Sequence, residues 1–302
     1  MPSRLRVLLA AICALAGVAI TVTGIAALGG VIWQQDGVPV NTATDQSYDP
    51  RLAFDGAGGA IVTWYDGRNY TSTNNDIYVQ RVRSNGTVAW TAGGVGLCAA
   101  TYAQIDPQIT SDDAGGAIVT WEDYRSTANY DVYAQRVGSD GTTAWATDGV
   151  TVSAAHNNQY DPQITGDGAG GAIVTWRDDR EGNTDIFAQR MTSDGVADWT
   201  PDGVSLCTAI DAQYAPQIAT DEDGGAIVTW YDWRNLADTD IYARRVYSDG
   251  TAAWTTDGVT ICAATDLQDS PQIVSDGAGG AIVVWVDRRL GSGNTDIYAQ
   301  RV

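Results

Sequence analysis

The side chains able to do chemistry in this chain fall into two sets: those that recur about every 55 residues and those that break the recurrence. The recurring set is Trp-x-Asp-x-Arg, present as Asp66/Arg68, Asp123/Arg125, Asp178/Arg180, Asp232/Arg234 and Asp287/Arg289. Five such Arg could crown a surface and bind an anion. Repetition in every unit favours another role, a bidentate tether between Arg and carboxylate that holds each unit together, with Asp185 and its equivalents as expected partners. The second set fills the variable places of the same motif. The first place holds Tyr65, Glu122, Arg177, Tyr231 and Val286; the second holds Gly67, Tyr124, Asp179, Trp233 and Arg288. Trp233 stands outside the places that the other Trp share, and Tyr130 lies in the same kind of loop. Aromatic rings beside Asp and Arg suit a sugar face or a protein surface. The acids outside the repeat are Glu122, Asp179 and Glu181. Paired carboxylates roughly 5–10 Å apart could hydrolyse a glycosidic bond.

Other chemistries find little support. His156 is the only His and sits in a loop, so no nucleophile–His–acid constellation can be assembled. No phosphate loop or dinucleotide fingerprint occurs. Cys98, Cys207 and Cys262 occupy one repeat position, too far apart for a disulfide, and read as small buried residues. No cofactor is expected. The Asp-x-x-Gly-Gly turns are a secondary candidate for calcium, although β-turn geometry explains them without metal.

The elements that must position these residues come from the repeat itself. Gly-Gly-Ala-Ile-Val-Thr-Trp and its near-copies end at Trp64, Trp121, Trp176, Trp230 and Trp285. A Pro precedes each Trp by fourteen residues, and an Asp-[Ile/Val]-[Tyr/Phe] unit follows each. Every unit offers four strand-like pieces separated by turn signals, the second apolar at nearly every position and so buried on both faces. This is the pattern of a five-bladed β-propeller, all-β, with four antiparallel strands per blade. The chain ends on a third strand, and Trp33-x-x-x-Gly37-Val38 matches the fourth-strand pattern. Residues 29–40 are therefore expected to close the ring.

Composition bounds the partners. There are 37 acidic residues against 17 basic ones, a net charge of −20, and all the basic residues are Arg. Nucleic acid is disfavoured as a partner. Residues 1–28 read as a signal peptide, with Arg4 and Arg6 before an apolar run. The protein is expected to be secreted or on the cell surface, with a membrane partner only if that segment stays uncleaved. Residues 29–302 are expected to form the propeller as a monomer.

The repeat DGxGGAIVxWxDxR…DIYAQRV, here Asp276–Arg289 and Asp296–Val302, resembles that of bacterial secreted β-propeller repeat proteins. The resemblance spans 29–302 and implies fold and export, with no activity attached. The turn Ser139-Asp140-Gly141 before Trp145 is distantly similar to the Asp-box of sialidase-type propellers, but one residue shorter, and carries no sialidase chemistry. Most Asp and Arg being absorbed by the repeat, the first expectation is a non-catalytic recognition or adhesion module. It would bind glycan or protein through Trp233, Tyr231, Tyr124, Tyr65, Tyr130, Glu122, Asp179, Arg177 and Arg288. The alternative is a glycoside hydrolase-like propeller using carboxylates at the central channel.

Overall fold

A computed structural model describes residues 33–34, 36–291 and 293–302. The chain divides into two units, Met1–Val38 and Pro39–Val302, and the second carries the propeller. The expected signal segment lies outside the described residues.

Blade 1 is β1 (Ser47–Phe54), β2 (Ala60–Asp66), β3 (Asp76–Val82) and β4 (Val95–Cys98). Blade 2 is β5 (Gln104–Ser111), β6 (Ala117–Asp123), β7 (Asp131–Val137) and β8 (Val150–Ser153). Blade 3 is β9 (Gln159–Gly166), β10 (Ala172–Asp178), β11 (Asp185–Met191) and β12 (Val204–Cys207). Blade 4 is β13 (Gln213–Thr220), β14 (Ala226–Asp232), β15 (Asp240–Val246) and β16 (Val259–Cys262). Blade 5 has three described strands, β17 (Gln268–Ser275), β18 (Ala281–Asp287) and β19 (Asp296–Arg301). All pairings are antiparallel between sequence neighbours, as the repeat requires. First strands of successive blades pack on one another from β1 to β17, so they line the hub. The second strands are buried on both faces, with Ile173, Val174 and Trp176 sealed from solvent.

Of the expected closing segment 29–40, residues 33–34 and 36–40 are described. In the described part, residues 38–41 form no strand, and β19 has no fourth-strand partner. Ile297 on β19 is 71% exposed, whereas its equivalents Ile77, Val132, Ile186 and Ile241 are fully buried. Asn41 nonetheless takes the place that Cys98 has in the next blade. It donates to Asp66 Oδ2 at 2.9 Å and accepts from Arg68 at 3.3 Å.

A polar frame holds each blade. In blade 3, Asp178 accepts from Trp176 Nε1 (2.7 Å), from the Arg180 backbone N–H (3.0 Å) and from Arg180 Nε (2.8 Å). The same guanidinium donates to the Asp202 carbonyl (2.8 Å) and to Ser153 Oγ at the end of blade 2 (3.3 Å). The tether expected of the repeat is therefore present, but Arg180 pairs with its own motif's Asp178 rather than with Asp185. The Cys position is polar in use: Arg125 donates to Cys98 Sγ at 3.2 Å, as Arg180 does to Ser153. Burial pushes the Cys98 and Cys207 thiols up to about 12, so they stay protonated.

The third-strand Arg completes the frame. Asp167 Oδ1 accepts from the N–H groups of Ala169 and Gly171, and Oδ2 accepts from Arg190 Nε. Those turn carboxylates are thus already engaged by the protein. Arg190 and Trp199 both reach the Ser248 carbonyl of the following blade. Gly195 must be Gly: at φ +80 a Cβ would stand 2.6 Å from the Trp145 ring of the preceding blade.

The Asp that opens the third strand is buried without an Arg in blades 1 to 4, at Asp76, Asp131, Asp185 and Asp240. Burial first, then the charge of Asp178, raises the Asp185 carboxyl to about 7. Burial likewise raises Asp131 and Asp240 to about 6. Asp185 Oδ2 and Gln213 Oε1 are both buried acceptors lacking a donor, and both side chains attach to the Asp211 carbonyl network. A proton on the raised Asp185 carboxyl turns one of these acceptors into a donor.

Two outcomes follow. Arg180→Met leaves Asp178 buried and unpaired and should cost about 3–5 kcal/mol by chemical denaturation; unchanged stability would contradict the tether. Because Asp131, Asp185 and Asp240 hold protons more tightly folded than unfolded, stability should fall as pH rises from about 4 to about 7. Burial of Asp66 is outweighed by its Arg68 and Trp64 hydrogen bonds, and Arg289 holds Asp287; both carboxyls are drawn down to about 2, so stability also falls below pH 4. Asp185→Asn should match the parent Tm at pH 4 and exceed it at pH 8; a lower Tm at pH 8 would contradict the protonated pair.

Candidate active site at the hub

The strand register sets the first variable place of Trp-x-Asp-x-Arg against the first strand of its blade. Tyr65 faces Tyr48, Glu122 faces Ile105, Arg177 faces Tyr160, Tyr231 faces Tyr214 and Val286 faces Asp269. Next to each pair the first strand bulges at an x-Pro step. The residue before Pro is left-handed in every blade: Asp49 (φ 49), Asp106 (φ 52), Asp161 (φ 53), Ala215 (φ 50) and Ser270 (φ 53). Left-handed non-Gly residues cost of order 1–3 kcal/mol each and persist only where the surroundings hold them. The repeated bulge therefore presents one strained residue per blade at the hub, and in blades 1 to 3 that residue is Asp.

Glu122 is 4% exposed, and its Oε1 accepts from the Asp161 backbone N–H at 2.7 Å. Burial pushes its carboxyl up to about 8; the Asp161 N–H opposes this, and the charges of Asp106 and Asp161 add to it. Asp106 is also raised, by burial and by Asp49, whose carboxyl hydrogen-bonds to it. Arg177 Nε lies 2.5 Å from Asp161 Oδ2, an ion pair whose N–H is not aligned as a hydrogen bond. The hub thus gathers a proton-holding Glu122, a coupled Asp49–Asp106 pair and an ion-paired Asp161.

Aromatic rings run outward from these acids. Tyr160 lies 5.5 Å from Tyr130, which lies 4.9 Å from Tyr124, and Tyr102 follows at 6.4 Å. On the other side Arg177 sits over Tyr160 at 4.8 Å and Tyr214 at 5.7 Å, and Tyr214 is 5.6 Å from Tyr231. Tyr65 stacks on Tyr48 at 5.3 Å, with its hydroxyl raised by burial and by Asp49. Trp233 lines a cleft with Asp211, Ala212, Tyr214 and Leu236.

Not every residue singled out from sequence joins the centre. Asp179 is held by Thr184 Oγ1 at 2.8 Å, and Glu181 is exposed. Arg288 pairs with Asp269. His156 is exposed. The carboxylates around Glu122 are Asp106 and Asp161, which sequence reasoning missed because they sit in a repeated place. Their signal was present: Asp precedes Pro in blades 1 to 3, Ala and Ser in blades 4 and 5. Among the described residues no group of three or more His, Cys, Asp or Glu is placed to hold a metal ion.

The Glu122 carboxyl should titrate near pH 8, read by carbon NMR as the resonance lost in Glu122→Gln; titration below pH 5 would contradict the buried, proton-holding state.

No protein-family model matches the chain, and no curated protein matches it. Solved structures of similar fold include an endo-arabinase from Bacteroides thetaiotaomicron, with TM-score 0.45, 13% identity, and coverage of 88% of this chain and 96% of that one. A GH93 α-L-arabinofuranosidase of Fusarium graminearum, in complex with arabinobiose, has TM-score 0.48, 11% identity, and coverage of 88% and 84%. A protein of unknown function from Dyadobacter fermentans has TM-score 0.47, 11% identity, and coverage of 88% and 81%. At these identities the likeness is one of fold. The expectation of a non-catalytic recognition module is corrected: solved propellers of similar fold include glycoside hydrolases, and Glu122, the one repeat-breaking acid at the hub, lies within electrostatic reach of Asp106 and Asp161. The chain is a five-bladed β-propeller.

Proposed function

We propose that this protein is a glycoside hydrolase whose acid–base centre is the hub carboxylate cluster. The observation that carries the reading is Glu122, a carboxyl held protonated near neutral pH beside the Arg177-paired Asp161. A carboxyl that keeps its proton and a second carboxyl in an ion pair with Arg177 can divide the labour of acid and base. Glu122 gives its proton to the glycosidic oxygen as the bond to the anomeric carbon breaks. Water adds to that carbon, and its proton passes to the Asp161 carboxylate. The Asp49–Asp106 pair lies within electrostatic reach and can return a proton to the centre. Tyr160, Tyr130 and Tyr214 supply flat apolar faces against which sugar rings stack. The reading places the enzyme outside the cell or on its surface, consistent with the signal-like segment at residues 1–28.

The test is hydrolysis of a panel of aryl glycosides and polysaccharides, arabinofuranosides and arabinan among them. Glu122→Gln and Asp161→Asn should each lower kcat by about 10²–10⁴-fold with the fold retained by circular dichroism. Activity that survives both substitutions would overturn the assignment.

A further inference from the structure

The acids of the hub have aromatic rings on both sides. They lie partway along a track of aromatic rings that crosses the same face of the propeller. One arm runs through Tyr160, Tyr130 and Tyr124 to Tyr102, and ends in a cleft of about 310 Å³ lined by Tyr70, Thr101 and Tyr102. The other arm runs from Arg177 over Tyr214, and ends in a cleft of about 270 Å³ lined by Tyr214, Trp233 and Leu236. Tyr102 is 50% exposed and Tyr70 65% exposed, so the first arm opens to solvent at its outer end. Glu122 and Asp161 stand between the arms, and Arg177 bridges them.

We infer that the substrate is an interior stretch of a neutral, linear glycan chain, laid across blades 2 to 4 from Tyr102 to Trp233 and cut in its middle. The inference rests on the hydrolase reading and deepens it. A centre that trimmed terminal sugars would need a wall on one side of the acids. Here stacking platforms and open clefts lie on both sides, so sugars beyond the scissile bond are held in each direction. The chain must be neutral because the acids of the hub (Asp49, Asp106, Glu122 and Asp161) outnumber the cations that reach them, Arg177 and Arg51, and Arg177 is already paired with Asp161. A uronate would meet unbalanced negative charge. Trp233 acquires a role on this view. It is the aromatic stop of the second arm, ring-lined space rather than a repeat position.

The experiment compares the parent, Tyr102→Ala and Trp233→Ala on linear arabinan, xylan, mannan and polygalacturonate, and on the matching aryl glycosides. The parent should drop the viscosity of one neutral polymer early, before much reducing sugar appears, and leave polygalacturonate intact. Each variant should lower the ratio of polymer to aryl glycoside turnover by about three- to tenfold. Release of single sugars with no early drop in viscosity would overturn the interior-cut inference while the hydrolase reading stands. If no probe is cut, the hydrolase reading falls, and the track is judged by affinity electrophoresis in the same polymers. Retardation by a neutral polymer that weakens in both variants supports the track; no retardation, or retardation only by polygalacturonate, overturns it.

Discussion

Each blade turns on one buried carboxylate. Asp178 and its four counterparts accept an indole N–H, a backbone N–H and a guanidinium at once. The guanidinium then reaches back to the last strand of the preceding blade, at Cys98, Ser153, Cys207 or Cys262, and in blade 1 to Asn41. One network therefore locks the end of the second strand, the loop after it and the junction between blades. Its carboxylates are satisfied internally, which is the condition under which a buried ionic group rigidifies rather than destabilises, and only Arg234 Nε among the five guanidinium Nε atoms is left without an acceptor. The residues on either side of that Asp are free to vary because the network does not use their side chains.

The variable places gain their meaning from the first strand. The x-Pro bulge shifts the register by one step and leaves the preceding residue left-handed in every blade. Ala215 and Ser270 share that conformation with three Asp, so the strain belongs to the scaffold, and the acids exploit a position the repeat already presents. Glu122 enters opposite one of these bulges and is buried by it. Burial, rather than any charge partner, does most to keep its proton. The same physics operates inside the blades at Asp185, where it governs stability instead of chemistry.

The repeat made the architecture legible: five Trp, five Pro and five Asp-[Ile/Val]-[Tyr/Phe] units admit few folds besides a propeller. The polar frame was half legible. The Arg tether could be read, but its partner could not, because spacing alone does not say which of two nearby Asp lies in the plane of the guanidinium. The site was legible only through asymmetry. Glu122, Arg177 and Tyr231 stood out because they break the pattern. Asp106 and Asp161 were hidden because their neighbours in sequence do not, and only the bulge shows that these side chains meet Glu122. Asp179 misled for the opposite reason: it breaks the pattern, yet Thr184 holds it within its own loop. Closure of the ring by residues 29–40 was inferred from pattern alone; the described part of that segment forms no strand, and the Asn41 anchor lies just after it.

The most direct test of the hub as a sugar-cleaving centre is a crystal structure of Glu122→Gln soaked with a neutral oligosaccharide. The account predicts a glycosidic oxygen beside residue 122, an anomeric carbon facing Asp161, and sugar rings stacked toward both Tyr160 and Tyr214. An oligosaccharide bound elsewhere on the protein, with the hub empty of sugar, would contradict it.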